Sequence, residues 1–239
     1  MLISGLSKTT LLDYPEHLAC TIFTGGCNFR CPFCHNRDLV FLNEGMENGH
    51  VQIYTEEEIF SFLKKRSSIL RAVCITGGEP TLQQDLPELI KKIKGLGYLV
   101  KLDTNGCHPD MLEKLLEADL LDYVAVDIKN SPQKYARTIG IPDFDLAPVK
   151  ETVSCLLSAK DTLSYEFRTT LVKELHEEND MHVICDWIKG CSHYYLQSFI
   201  DSGSLVSEET FHALDEETLK NFLTICQSYI PGTSLRGVS

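Results

Sequence analysis

Short apolar runs alternate along the chain with longer stretches in which apolar residues recur every three or four positions. The short runs predict strands over 18–23, 72–76, 99–104, 123–129, 165–171 and 194–199. The longer stretches predict helices over 56–65, 84–94, 110–117, 147–158, 177–189 and 215–227. Thr55 with Glu58 three residues on forms a capping-box pattern at the start of the first helix. Strands that alternate with helices build parallel βαβ units. Six such units, two short of a closed eightfold barrel, predict an α/β fold that is a partial (β/α)6 barrel. No internal repeat or interdomain linker stands out. A single domain over 1–239 is therefore expected, with a core at about 18–200 and terminal extensions packed on it. The polar stretch 43–52 reads as a mobile insertion.

Strand parity adds chemistry. Over 123–129, Val124, Val126 and Ile128 share one face, and Tyr123, Ala125, Asp127 and Lys129 share the other. Lys101, Asp103 and Asn105 oppose Val100 and Leu102, and Glu166, Arg168 and Thr170 lie on one face of their strand. The apolar faces should meet the outer helices and the polar faces should look inward. Buried charges are costly alone, so these groups are expected to pair with one another, in a structural ion network, or with a charged ligand.

Composition narrows the class. Hydrophobic residues make up 43% and net charge is −12, which describes a globular chain and argues against a general nucleic-acid binder. No apolar run reaches the length of a membrane span, and the first residues do not resemble a signal peptide. A cytoplasmic protein with no membrane partner is expected. There thiols stay reduced, so the ten cysteines do not read as a disulfide framework. Cys20, Cys74, Cys107, Cys155, Cys185 and Cys226 read as buried core residues, and the Cys185-to-Cys191 spacing fits no metal motif well.

Cys27, Cys31 and Cys34 differ, because one loop offers all three directly after the first predicted strand. Thiolates are the soft ligands that iron–sulfur clusters require, and three of them leave one iron of a [4Fe–4S] cluster open to a small molecule. Three other readings compete. Zinc could take the three thiols with His35, though adjacent Cys34 and His35 would strain a tetrahedral site. Cys31-Pro32-Phe33-Cys34-His35 matches the c-type haem attachment motif, which leaves Cys27 unexplained. An iron–sulfur electron carrier could draw a fourth ligand from Cys107, but the rest of the chain is oversized for that task.

The C-x-x-x-C-x-x-C spacing, with aromatic Phe33 before the last cysteine, resembles the radical S-adenosylmethionine (SAM) superfamily. The resemblance implies one [4Fe–4S] cluster, SAM chelated to its open iron, reductive cleavage of the sulfonium, and hydrogen abstraction by a 5′-deoxyadenosyl radical. Gly77-Gly78-Glu79-Pro80 resembles the family's GGEP motif, which lies along SAM's methionine part, with Glu79 available to the ammonium or neighbouring cations. Asp103-Thr104-Asn105 and Asp127-Ile128-Lys129 resemble motifs of the glycyl-radical activating enzymes. There the aspartates and the threonine help hold a monovalent cation, and the lysine contacts SAM. Arg168 and Gln197 are further candidates for the pocket. A SAM-contacting histidine is expected after the fifth strand, and His176 and His182 both qualify, against the alternative of exposed helix histidines.

The segment Gly5–Pro15, the Cys34-His35-Asn36 ending and Phe167-Arg168-Thr169-Thr170 are similar to the activating proteins of anaerobic ribonucleoside-triphosphate reductase. His35 and Asn36 thereby join the cofactor-binding candidates. Pyruvate formate-lyase activating enzymes share the Cys-His-Asn ending. The resemblance runs over about residues 4–200 and departs at Val172-Lys173, where a more apolar, proline-containing stretch is expected. It implies an activase with a glycyl-radical enzyme as protein substrate and a low-potential donor such as flavodoxin or ferredoxin. A small-molecule enzyme resembling 7-carboxy-7-deazaguanine synthase is the alternative. It fits less well, because His35-Asn36 stands where a threonine-type magnesium ligand belongs.

Overall fold

The computed structural model describes residues 1–159, 163–201 and 203–237; residues 202, 238 and 239 of the expected C-terminal extension lie outside the described residues. The chain forms two compact units, Met1–Asn28 with Asn36–Val124, and Phe29–His35 with Ala125–Ser239. No change in composition marks the division, which falls inside a strand.

In the first unit, β1 (Ile3–Thr10), β2 (Ala19–Thr24), β3 (Ala72–Gly77) and β4 (Leu99–Thr104) lie in that order. β1 is antiparallel to β2, with Ile3 opposite Thr24 and Thr10 opposite Ala19. The other pairs are parallel, with Thr24 beside Gly77 and Ile75 beside Leu102. Apolar runs buried on both faces suit parallel strands, and Cys20, Ile22, Val73, Ile75, Val100 and Leu102 are fully buried. The helices α1 (Glu56–Arg66), α2 (Leu86–Lys94) and α3 (Pro109–Glu117) belong to this unit. Thr55 and Glu58 form the capping box that their spacing predicts. On α2, Leu86, Leu89, Ile90 and Ile93 form the buried stripe, each side chain contributing about 1.5–3 kcal/mol on burial.

β5 (Tyr123–Asp127) carries the boundary between the units. In the second unit β6 (Ser164–Leu171), β7 (Tyr194–Ser198) and β8 (Thr233–Arg236) follow, with β6, β7 and β8 parallel in register. Its helices are α4 (Ala147–Ser158), α5 (Glu178–Trp187) and α6 (Glu216–Tyr229).

All six expected strands are present. β1 and β8 add to them: the first is an antiparallel strand with half-exposed polar positions, the second only four residues long, and neither has the apolar run that marks a buried strand. The stretch read as a mobile polar insertion is helical over Leu42–Glu47, where buried Gly45 allows tight packing against Asp38 and Val51. Of the six cysteines expected in the core, Cys20, Cys74, Cys185 and Cys226 are buried, whereas Cys107 and Cys155 are half-buried. Cys155 lies on the partly exposed side of α4, and Cys107 sits in the turn after β4. Burial pushes the thiols of Cys20 and Cys191 up to about 12, which makes them inert.

Candidate active site

In the first unit the site begins where β2 and β3 end. The Gly78 amide donates to the Thr24 carbonyl at 2.9 Å and the Glu79 amide to the Gly26 carbonyl at 2.8 Å, which zips the two strand exits together just before Cys27. Gly77 has a φ of +124°, and a Cβ on Gly78 would sit inside the Gly26 carbonyl, so both positions require glycine.

The Glu79 side chain is 1% exposed and accepts four hydrogen bonds from its own unit. Oε1 takes the Thr81 amide at 3.0 Å, the Thr81 hydroxyl at 2.5 Å and the Thr104 hydroxyl at 2.7 Å, and Oε2 takes the Asn105 amide at 2.7 Å. Burial pushes its pKa above the usual glutamate range, against the pull of these donors. The Asn105 side-chain amide then donates to Asn28, the residue after Cys27, at 2.7 Å. Glu79 thus ties the end of β4 to the start of the cysteine loop, with three donors on Oε1 and one on Oε2. Thr104 also accepts the Gly106 amide. Lys101, nearly fully buried, donates to Asp103 and lies 5.8 Å from the centre of the Tyr123 ring. Asn36 caps the short helix Arg37–Val40 through its carbonyl, which accepts the Leu39 and Val40 amides.

The second unit holds Cys31 and Cys34. The Cys34 amide closes a turn on the Cys31 carbonyl at 3.0 Å, and the Arg30 amide donates to the Ile139 carbonyl at 2.9 Å. Phe29, buried, meets the edges of Tyr135 and Phe144 at 6.4 and 5.4 Å and anchors the loop. Phe33 is buried and meets Phe211 edge-on at 6.5 Å.

The Asp127–Lys129 strand end lies in the same unit. Asp127 accepts from Arg168 Nε at 2.9 Å and from Lys129 Nζ at 3.0 Å. Burial opposes its charge, but Arg168 and Lys129 hold its carboxyl well below the usual range. Burial likewise opposes the Lys129 charge, but Asp127 and the Cys31 and Cys34 thiols hold it above an ordinary lysine. A cation beside two thiols favours the thiolate form that iron binds. The His35 side chain is exposed, yet partial desolvation by the surrounding chain and then Lys129 push its pKa below the usual histidine value.

His176 is 2% exposed. Its Nδ1 accepts the Val172 amide at 3.1 Å, and its Nε2 donates to the Lys129 carbonyl at 2.9 Å, so both ring nitrogens are committed and the ring pins the Lys129 backbone. His182 instead pairs with the Tyr229 hydroxyl at 3.1 Å. Of the two histidine candidates, the structure brings only His176 to Lys129. Gln197 meets Thr170 at 3.5 Å. Fully buried Glu166 takes a two-pronged ion pair from Arg236 at 2.8 and 2.9 Å, and Arg236 stacks on Tyr195.

Sequence reasoning missed several supports. Asn130 donates to Thr138 and to the Leu175 carbonyl, and Ser131 donates to Asp180, fixing the segment after Lys129. The polar run Lys129-Asn130-Ser131 at a strand exit was the available signal.

Burial of His176 lowers its pKa, so the folded state resists protonation. The stability that the neutral ring contributes is present above the unfolded pKa of about 6.5 and is lost as pH falls through that region. Melting temperature should therefore drop between about pH 7 and about pH 5.5 by more in the wild type than in His176→Gln. Parallel pH profiles would contradict this role.

The family model for the radical SAM superfamily matches residues 21–182. The chain belongs to the radical SAM superfamily. Membership makes it an enzyme and implies a [4Fe–4S] cluster and SAM. The donor set of this radical SAM chain fits the cluster: one short loop supplies three thiols, two of them beside Lys129. A candidate glycyl-radical enzyme activating enzyme of Methanocaldococcus jannaschii is 34% identical over 244 residues, covering 100% of this chain and 97% of that protein. A candidate GTP 3′,8-cyclase of Thermococcus kodakarensis is 33% identical over 141 residues, 57% of this chain and 44% of that protein. Among solved structures, Streptococcus suis SuiB bound to S-adenosylmethionine superposes with a TM-score of 0.65 at 13% identity, over 89% of this chain. The radical SAM chain spans about half of SuiB's length, 48%, and the likeness is one of fold. Among the described residues no helix is long and apolar enough to cross a membrane.

Proposed function

We propose that this radical SAM enzyme is an activase that places a radical on a backbone glycine of a larger partner enzyme, with anaerobic ribonucleoside-triphosphate reductase as the partner. The observation that carries the reading is the likeness to the M. jannaschii protein, which is nearly complete on both sides. The cyclase match covers less than half of that protein and supports only a shared core. A glycine in an extended loop suits such chemistry, because it lacks a side chain and permits close backbone approach.

Cys27, Cys31 and Cys34 would hold the cluster. The bound cluster and SAM supply one-electron cleavage of a sulfonium followed by hydrogen abstraction, with the electron coming from a flavodoxin- or ferredoxin-type donor in the cytoplasm. The protein's own groups orient and neutralise. Gly77 and Gly78 present backbone to SAM's methionine part, and Glu79 holds Thr104, Asn105 and Asn28 in place. Lys129 and Arg168 offer positive charge for a carboxylate, Phe33, His35 and Asn36 border the cysteine turn, and His176 fixes Lys129. His182, paired with Tyr229, and Gln197, paired with Thr170, complete the candidates in this reading. A monovalent cation served by Asp103, Thr104 and Asp127 also belongs to it. That ion would compete with Lys101 for Asp103, and with Arg168 and Lys129 for Asp127.

Asp127→Ala and Lys129→Ala should weaken SAM binding more than they lower iron content. Each should also cost about 2 kcal/mol of stability, less than the 3–5 expected when one partner of a fully buried pair is removed. Calorimetric titration of SAM into the reconstituted variants decides, and unchanged affinity in both would make the charges purely structural. The proposed function itself is tested by SAM turnover. A glycyl-radical partner should stimulate formation of 5′-deoxyadenosine, and the same partner with its radical-site glycine changed to Ala should not. Equal stimulation by both would contradict it.

A further inference from the structure

The segment between β7 and α6 crosses back over the cysteine turn. The Val206 amide donates to the Cys34 carbonyl at 3.1 Å and the Ser207 amide to the Pro32 carbonyl at 3.0 Å. Phe211, 4% exposed, packs its ring edge-on against Phe33. Beyond these contacts the segment is itself anchored. The Lys173 amide donates to the His212 carbonyl at 3.0 Å, and Glu174 accepts from both the His212 amide and its ring, at 3.0 and 2.7 Å. Two backbone hydrogen bonds and one aromatic contact therefore fall on the tetrapeptide Cys31–Cys34, and the far end is fastened to the chain just after β6. Gly203 and Ser204 before the anchors and Glu208, Glu209 and Thr210 between them are exposed, so the strap is held by these contacts and not by a buried core of its own.

A turn that must present two thiolates to one cluster gains from being fixed in advance. Ligand orientation set by outer partners commonly changes metal affinity by about 10–100-fold. The carbonyls of Pro32 and Cys34 accept from the strap, which fixes the Pro32–Phe33 and Cys34–His35 peptide planes; with the Cys34 amide closed on the Cys31 carbonyl, this sets the orientation of the whole turn that carries both thiols. We infer that residues 203–212 form a positioning strap for the cluster turn, with Phe211 and the Val206 and Ser207 amides as its working contacts. The inference rests on the cluster assignment and is independent of which molecule receives the radical.

The test compares reconstituted holoprotein of the wild type with Phe211→Ala, Phe211→Leu, Ser207→Pro and, as a matched core truncation in the same unit, Phe222→Ala. Phe222 is 3% exposed on α6 and makes none of the strap contacts named above. Two quantities are read: the rate of cluster loss to an iron chelator, and the electron paramagnetic resonance line shape of the reduced cluster. Phe211→Ala and Ser207→Pro should lose iron on the order of tenfold faster and show an altered line shape. Phe211→Leu, which keeps the apolar contact, should stay near the wild type. Phe222→Ala should lower the melting temperature yet keep the wild-type loss rate and line shape. Should Phe211→Ala fail to fold, Ser207→Pro, which removes one backbone donor and no core side chain, decides alone. Wild-type loss rates in the strap variants, or an equal acceleration in Phe222→Ala, would overturn the strap. A wild-type protein that takes up no cluster would instead overturn the cluster assignment.

Discussion

Cys27→Ala, Cys31→Ala and Cys34→Ala are each expected to abolish SAM cleavage, with activity falling by several orders of magnitude. A [4Fe–4S] cluster held by three thiolates has no spare protein ligand, so removal of one opens a second iron and the cluster degrades. The structure gives the three positions different surroundings. Cys27 follows strand exits zipped by Gly78 and Glu79, while Cys31 and Cys34 sit on a closed turn beside Lys129. Iron content should therefore fall in all three variants, whereas the secondary structure of the apoprotein should not change. Cys155→Ala and Cys226→Ala serve as controls and should keep both iron and activity. Cys155 is half-buried on a helix, and Cys226 is fully buried against Cys185. Normal cleavage in all three ligand variants would show that the cluster lies elsewhere, and cluster loss in either control would sink the reading of those residues as packing.

Glu79→Ala is expected to be the most damaging change outside the cysteines. It strands the Thr81 amide and hydroxyl, the Thr104 hydroxyl and the Asn105 amide in a buried site. Unsatisfied buried donors cost about 1–3 kcal/mol each, and partial relaxation should leave a total of about 3–5 kcal/mol. Glu79→Gln is a sharper probe. Its amide oxygen can replace Oε1, but its NH2 group then faces the Asn105 N–H, two donors head to head. About half the loss should remain. Because Asn105 also holds Asn28, SAM affinity should fall in both variants, measured beside the melting temperature. A stable Glu79→Gln protein with weakened SAM binding would mean that the carboxylate acts on SAM directly and not through Asn105.

The sequence made the six central strands legible because buried parallel strands need apolar runs that are short and bounded. The capping residues Thr55 and Glu58 located a helix start to the residue for the same reason: the signal is local. β1 and β8 were hidden because an antiparallel strand with exposed polar positions and a four-residue strand carry no such run. Parity put Asp127, Lys129, Arg168 and Glu166 on polar faces, but not their partners. That Arg168 takes Asp127, or that Arg236 reaches Glu166 across seventy residues of sequence, depends on strand register, which no local pattern encodes. The same limit hid the commitments of Glu79 and His176, whose hydrogen bonds run to residues 25 and 47 positions away. Site residues could be nominated from spacing, whereas their division into groups that hold the scaffold and groups left to a ligand needed the fold.

The central claim is that this radical SAM enzyme transfers a radical to a backbone glycine. Its most direct test is electron paramagnetic resonance on the reconstituted protein mixed with SAM, a low-potential reductant and the anaerobic ribonucleotide reductase of the same genome. The account predicts a stable doublet that disappears when the candidate glycine is changed to Ala. SAM cleavage without a glycine-dependent doublet, with that reductase and with every other glycyl-radical enzyme of the genome, would contradict it.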